Sequence, residues 1–297
     1  MNPPEGTQTA EENVETYCYG HPDRPTKLQC TRCDRYICGQ CAIQASVGQH
    51  CPECVAEARK SAPKVRTAMA VNAPVTRAII ALTVAVYVVE LFGGNEFVNR
   101  FTSLAPAIAD GEVYRLLTSV FLHLPLSEGG YAIMHIVFNM YILSIYGAQV
   151  EQLFGSARYA FLYLATGFFA SAASYGLQQC SNGLGASGAV FGIVGVLMVY
   201  LYNRRSSRVV DPHLQSLWLF VLINLALGFT IARIDNIAHI GGLVSGAALA
   251  FGFDRGRLSE PKAPAPLQIA TAVVVLVIGA GLVVQRTGMF ELADCFR

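Results

Sequence analysis

The 297-residue chain is poor in charge: Asp, Glu, Lys and Arg make up 14% of it, and the net charge is +1. That scarcity excludes a disordered chain and a nucleic-acid-binding protein built on excess basic residues. The opening residues, Met1 to Thr16, lack basic side chains and a short apolar core, and carry Glu5, Glu11, Glu12 and Glu15 instead. A cleavable secretory signal is thereby excluded, and the amino terminus is expected to stay in the cytosol. Cysteine is nearly missing beyond residue 54, where only Cys180 and Cys295 occur. What the chain has in abundance is apolar: 53% of it is hydrophobic and its mean hydropathy is +0.43. This balance predicts a polytopic membrane protein.

Seven apolar runs carry that hydropathy, at roughly 75–92, 132–153, 157–178, 187–202, 215–231, 238–254 and 267–285. Most approach the ~20 residues that a helix needs to cross a ~30 Å hydrocarbon layer. All are expected to be helices, because only an internally bonded backbone crosses lipid. With the amino terminus inside, sixteen Lys and Arg residues fall on cytosolic segments and five on outer ones. The asymmetry predicts a multi-pass cell-membrane protein with its carboxyl terminus outside. Cys180 and Cys295 then share the outer side, as a weak candidate disulfide pair.

The other seven cysteines fall in the first 54 residues. They read Cys18-x2-His21, Cys30-x2-Cys33, Cys38-x2-Cys41 and Cys51-x2-Cys54, four pairs with the two-residue gap that lets a tight turn grip one metal ion. Eight ligands suffice for two tetrahedral zinc ions. The segment is too short to bury a real core, so metal would supply most of its folding free energy. A disulfide framework is the rival reading, disfavoured by the odd cysteine count and a reducing compartment. The spacing resembles a B-box type zinc finger. That resemblance implies a cross-brace in which Cys18, His21, Cys38 and Cys41 hold one zinc and Cys30, Cys33, Cys51 and Cys54 the second. B-boxes often end in histidines, so His50 is a rival ligand. Four protein ligands leave no open position for catalysis. A cytosolic protein partner or a regulatory role is therefore expected of the module.

The membrane part carries polar residues where they are costly. Ser187 opens the fourth run within Gly185-Ala186-Ser187-Gly188, His239 opens the sixth within Ala238-His239-Ile240-Gly241-Gly242, and His135-x3-Asn139 lies near the start of the second. All three runs are read as descending from the outer side, so these groups fall at one depth; intramembrane polar residues of this kind point to function. His135 and Asn139 are i and i+4 and share a helical face. Gly188, Gly192 and Gly195 form one small-residue stripe, and Gly242, Gly246 and Ala250, headed by His239, form another. Two such stripes allow close helix approach. Packing alone is the bland reading of Ser187, and interhelical glue that of Asn139.

These motifs, with Gly147-x3-Glu151-x3-Gly155 and Tyr114-Arg115, resemble the rhomboid intramembrane serine proteases over about 75–254. The resemblance implies a Ser187–His239 dyad, an oxyanion site from the Ser187 N–H with His135 and Asn139, and Phe191 packed on the catalytic ring. It implies single-span membrane proteins as substrates, cut in or near the outer part of their spans, with no cofactor for catalysis. Asp235 and Asn236, just before the histidine, are left out of the dyad. Glu151 and Arg115 are read as structural anchors. Three departures stand out: Tyr114 where the family usually has Trp, an inserted loop over Leu124 to Met134, and a seventh span. The expected architecture is an all-α polytopic protein. It comprises an amino-terminal segment 1–17, a cytosolic zinc module 18–54, a basic linker 55–74, a six-helix rhomboid core 75–254, a loop 255–266, a seventh helix 267–285 and an outer tail 286–297. A catalytically dead relative that directs membrane clients to trafficking or degradation is the alternative, and intact Ser187 and His239 argue against it. A midplane transporter is disfavoured because no inverted repeat appears.

Overall fold

The computed structural model describes residues 15–45, 47–61, 72–204, 212–231, 233–254, 265–291 and 295. The acidic start, the middle of the linker and most of the 255–266 loop lie outside the described residues, as does the tail beyond 291 apart from Cys295. The chain forms two compact units, Met1–Arg66 and Thr67–Arg297.

In the first unit, β1 (Tyr17–Cys18) pairs antiparallel with β2 (His21–Pro25), and β3 (Ile43–Gln44) with β4 (Gln49–His50). Helix α1 (Pro52–Ser61) follows, with Pro52 at its first position, where a missing N–H costs nothing. It carries Cys54 in its first turn and continues beyond the last cysteine into the segment read as linker. The buried centre of this unit is Ile37 with six cysteines. So small a set of side chains cannot hold a fold by apolar burial.

Among the described residues of the second unit, seven helices are long and apolar enough to cross a membrane. The first, α2 (Pro74–Phe101), starts on Pro74 and breaks at Gly94, whose φ is 58°. The segment between the first two spans then runs through β5 (Ser103–Leu104), α3 (Ala105–Ala109) and α4 (Arg115–Thr118). The second span, Gly130–Phe154, is α5 (Gly130–Ile142), one wide π-type turn and α6 (Ala148–Phe154). Residues 130–134 of the inserted stretch therefore belong to the span rather than to a loop. The remaining spans are α7 (Ser156–Leu177), α8 (Ser187–Arg204), α9 (Pro212–Thr230), α10 (Asn236–Phe253) and α11 (Ala265–Met289). Between α7 and α8, β6 (Asn182–Gly183) pairs antiparallel with β5 and fastens the segment between the first two spans to the loop before Ser187.

Burial separates the spans. More than half of α7 and α8 and half of α10 is buried, against 11% of α9 and 17% of α2. Two of these buried helices, α8 and α10, meet backbone to backbone. A Cβ at Gly242 would fall on the Gly188 carbonyl oxygen, one at Gly246 on that of Gly192, and one at Gly195 on that of Leu243. Both stripes read from the sequence thus lie in one seam. With little side-chain volume between them, the α8 and α10 backbones gain dispersion contacts that larger residues would forbid.

Polar anchors close both ends. At the end of the bundle that holds the start of α2, the Glu151 carboxylate accepts the N–H groups of Val75 (3.0 Å) and Thr76 (2.8 Å), and the Ser156 hydroxyl (2.6 Å). Arg204 forms a two-pronged pair with buried Asp254, both contacts 2.7 Å. In the segment between the first two spans, Arg115 donates to Glu112 (2.6 Å) and to the carbonyls of Asn99 (2.6 Å) and Thr102 (3.2 Å). The Arg115 guanidinium and the Tyr114 hydroxyl hold the Glu112 carboxyl below the usual carboxylate range. Cys180 and Cys295 are joined in a disulfide. Beside it, Arg286 donates to the Gln179 carbonyl, and the Tyr175 and Thr287 hydroxyls lie 3.0 Å apart.

Candidate active site and candidate metal centres

Ser187 is the first residue of α8, and His239 lies in the first turn of α10. The seam places these two helix starts side by side, and His239 Nε2 is 2.9 Å from Ser187 Oγ. The Phe191 ring, one turn down α8, stacks on the imidazole with centroids 4.2 Å apart and planes 5° off parallel. That stacking fixes the ring plane against a buried neighbour, since His239 is 6% exposed and Phe191 is 2% exposed. No hydrogen-bond partner reaches His239 Nδ1 among the described residues. A hydroxyl bonded to an otherwise unattached imidazole can lose its proton to that ring and become a nucleophile.

His135 and Asn139 come from α5 on the far side of a cavity of about 940 Å³, which Ser187, Phe191 and His239 also line. The turn before Ser187 brings His135 close. Gly185 adopts φ 121°, donates its N–H to the Ser119 carbonyl (2.9 Å), and leaves a Cβ position only 3.0 Å from His135 Cε1. Only glycine fits there comfortably, by conformation and by space. Asn139 donates one amide hydrogen to the His135 carbonyl (2.8 Å). As the first residue of α8, Ser187 has an N–H outside the helical ladder.

Two groups escaped the sequence reading. Glu90, the one carboxylate of the 75–92 apolar run, is 2% exposed and accepts the His123 N–H at 3.2 and 3.3 Å. The His123 ring in turn packs 5.2 Å from that of His135. A single acid inside an apolar run was the available signal. The second group surrounds Asp235. Its carboxylate accepts the Ala238 N–H (2.9 Å), the Ser174 hydroxyl (2.5 Å) and the Gln178 amide (3.0 Å). Asp235 caps α10 and does not bond the His239 ring.

In the amino-terminal unit the eight ligands gather as two quartets. Cys18, His21, Cys38 and Cys41 form one; Cys30, Cys33, Cys51 and Cys54 form the other. His50 belongs to neither. The donor set fits a metal ion of zinc's size. His21 Nδ1 lies 3.3, 3.6 and 3.8 Å from the sulfurs of Cys41, Cys38 and Cys18, and Cys33 Sγ lies 3.8 Å from Cys51 Sγ. Those are the edges of a tetrahedron with bonds of about 2.0–2.3 Å. Burial would raise the Cys30 thiol, but N–H groups of Cys51, Arg32 and Cys33 bring it down to about 6. Cys54 is pushed up to about 12 by burial and by the other sulfurs of its quartet. Each quartet is a set of donors that could hold one metal ion.

The fold and this site define a polytopic helical membrane protein with a Ser–His pair in a cavity between its spans. Residues 110–255 match the rhomboid domain family. The chain is similar to rhomboid protease GluP of Bacillus subtilis, 36% identical over 69% of this chain and 40% of that protein. It is also similar to RHOMBOID-like protein 6, mitochondrial, of Arabidopsis thaliana, 37% identical over 48% of this chain and 45% of the relative. Rhomboid-like protease 1 of Toxoplasma gondii is 29% identical over 61% of each chain. The chain belongs to the rhomboid family. It spans less than half the length of the first two of these relatives.

Proposed function

We propose that this protein is an intramembrane serine endopeptidase that cuts single-span membrane proteins in or near the outer part of their transmembrane segments. The 2.9 Å approach of His239 Nε2 to Ser187 Oγ carries this reading. Ser187 Oγ attacks the scissile carbonyl while His239 Nε2 takes its proton, then returns it to the leaving amine. Phe191 holds the ring in plane. The Ser187 N–H with the side chains of His135 and Asn139 would hold the oxyanion as it develops. Water then hydrolyses the acyl-enzyme by the same proton route in reverse.

The amino-terminal quartets fit two structural zinc ions, with neither site offering an open position. The module then serves to dock a cytosolic protein or to regulate, and the chain sits in the cell membrane with its amino terminus inside. Sixteen of 21 basic residues on the inner side support that orientation. The test is cleavage of a single-span reporter in proteoliposomes, together with fluorophosphonate labelling. Ser187→Ala is expected to lower cleavage by ~10⁴-fold or more and to abolish labelling, with the melting temperature kept. Cleavage that persists in the variant overturns the dyad.

A further inference from the structure

We infer that Asp235 is a positioning residue for the Ser187–His239 pair, acting through the placement of α10 rather than through the imidazole. This deepens the protease reading and rests on it. Near the site much of the seam between α8 and α10 is backbone against backbone: Gly242 and Gly246 face the carbonyls of Gly188 and Gly192, and the flat Phe191–His239 stack crosses it. Smooth backbone contact brings two helices close but resists sliding along the axis poorly. Something else must set the height of α10 against α8.

Its ends do so. At the inner end Asp254 grips Arg204 of α8. At the outer end Asp235 ties the first turn of α10 to α7. One oxygen accepts from Ala238 N–H and Gln178 Nε2, and the other accepts the Ser174 hydroxyl. Gln178 Nε2 also reaches Ser174 Oγ (2.9 Å), so the three side chains form a closed triangle. A Cβ at Gly183 would lie 3.7 Å from Asp235 Oδ2, which brings the loop leading into Ser187 against the same carboxylate. Asp235 thus touches the elements that carry both reacting groups. The His239 N–H donates to the Asp235 carbonyl (3.1 Å), which places the imidazole one helical turn from this anchor.

The consequence is kinetic. A displacement of about 1 Å between nucleophile and base costs on the order of 10²-fold in rate. Asp235→Ala removes the tie, while the cavity that Asp235, Ser174 and Gln178 line can supply water to the released donors. Asp235→Asn keeps a carbonyl oxygen for the Ala238 N–H and an amide that can donate to Ser174 Oγ.

The experiment measures kcat and KM for a single-span reporter in proteoliposomes, fluorophosphonate labelling rate and melting temperature. Wild type, Ser187→Ala, Asp235→Ala, Asp235→Asn, Ser174→Ala and the Asp235→Ala/Ser174→Ala double variant are compared. Asp235→Ala is expected to lower kcat by ~10–100-fold and to slow labelling in step, with KM within about twofold. Asp235→Asn should recover to within about threefold of wild type, and the double variant should be no slower than Asp235→Ala alone. A wild-type kcat in Asp235→Ala overturns the role. So does an Asn variant as slow as the Ala variant, since charge rather than the tie would then matter. Absence of cleavage and labelling in wild type fails the protease reading itself, which a loss confined to the Asp235 variants does not.

Discussion

The two units of this chain solve the same problem with opposite materials. In the amino-terminal unit, order depends on eight side chains that converge on two points, and the backbone between them is mostly turns and two-residue strands. In the membrane unit, order depends on where side chains are missing: glycines at Gly188, Gly192, Gly242 and Gly246 let α8 and α10 share a seam. With the proposed metal ions bound, the first unit would concentrate its stability in bonds that one chelator can remove. The second spreads it over many weak contacts, where adding a methyl group is the damaging event. Small domains without a core need a staple, whereas helices in lipid need close approach.

The sharpest way to break this comparison is to remove the metal. Chelation is expected to unfold residues 18–54 outright, seen as rapid proteolysis and amide exchange in that segment. Reporter cleavage and the melting temperature of the membrane unit should stay unchanged. Loss of cleavage on chelation would show that the two units are coupled rather than merely joined. Next in size is a side chain in the seam. Gly246→Val drives a branched group at the Gly192 carbonyl and is expected to cost about 3 kcal/mol, read as a lower melting temperature in detergent. Because it parts the helices that bear Ser187 and His239, cleavage should fall more than stability explains. Equal stability in the variant would sink the seam as the organising contact.

The smallest effect concerns pH and the segment between the first two spans. Hydrogen bonds from Arg115 and Tyr114 depress the Glu112 carboxyl. Its contribution to stability is therefore present above the ordinary carboxylate value and is lost as pH falls through the lower folded value. Glu112→Gln should melt slightly below wild type at neutral pH and together with it in strong acid. The gap is small because the Glu112 side chain is 44% exposed. A gap that widens with acid would contradict the sign.

Much of this was legible in the sequence because its signals are local. Run lengths mark the seven spans, and four two-residue gaps mark the ligands. The stripe beneath His239 and the glycines after Ser187 announce close helix approach. What was not legible depends on distance along the chain. Asp235 stands beside the histidine in sequence, yet its meaning lies in Ser174 and Gln178, 61 and 57 residues away. Without those partners it reads as a loop acid or a false triad member. Glu90 is similar: its contact is the His123 backbone, 33 residues on, which no side-chain pattern advertises. The extension of α1 past Cys54 followed from ordinary helix-forming residues, Val55 to Ala58, in a stretch whose basic composition suggested a linker.

The disulfide between Cys180 and Cys295 has a consequence for biogenesis. Four crossings, α8 to α11, separate the two cysteines. An even number returns the chain to the side it left, so the sulfurs can meet only if an even number of those crossings was made. A single skipped or inverted span would strand Cys295 on the opposite face of the membrane. The bridge is therefore a parity check on insertion, written in covalent chemistry.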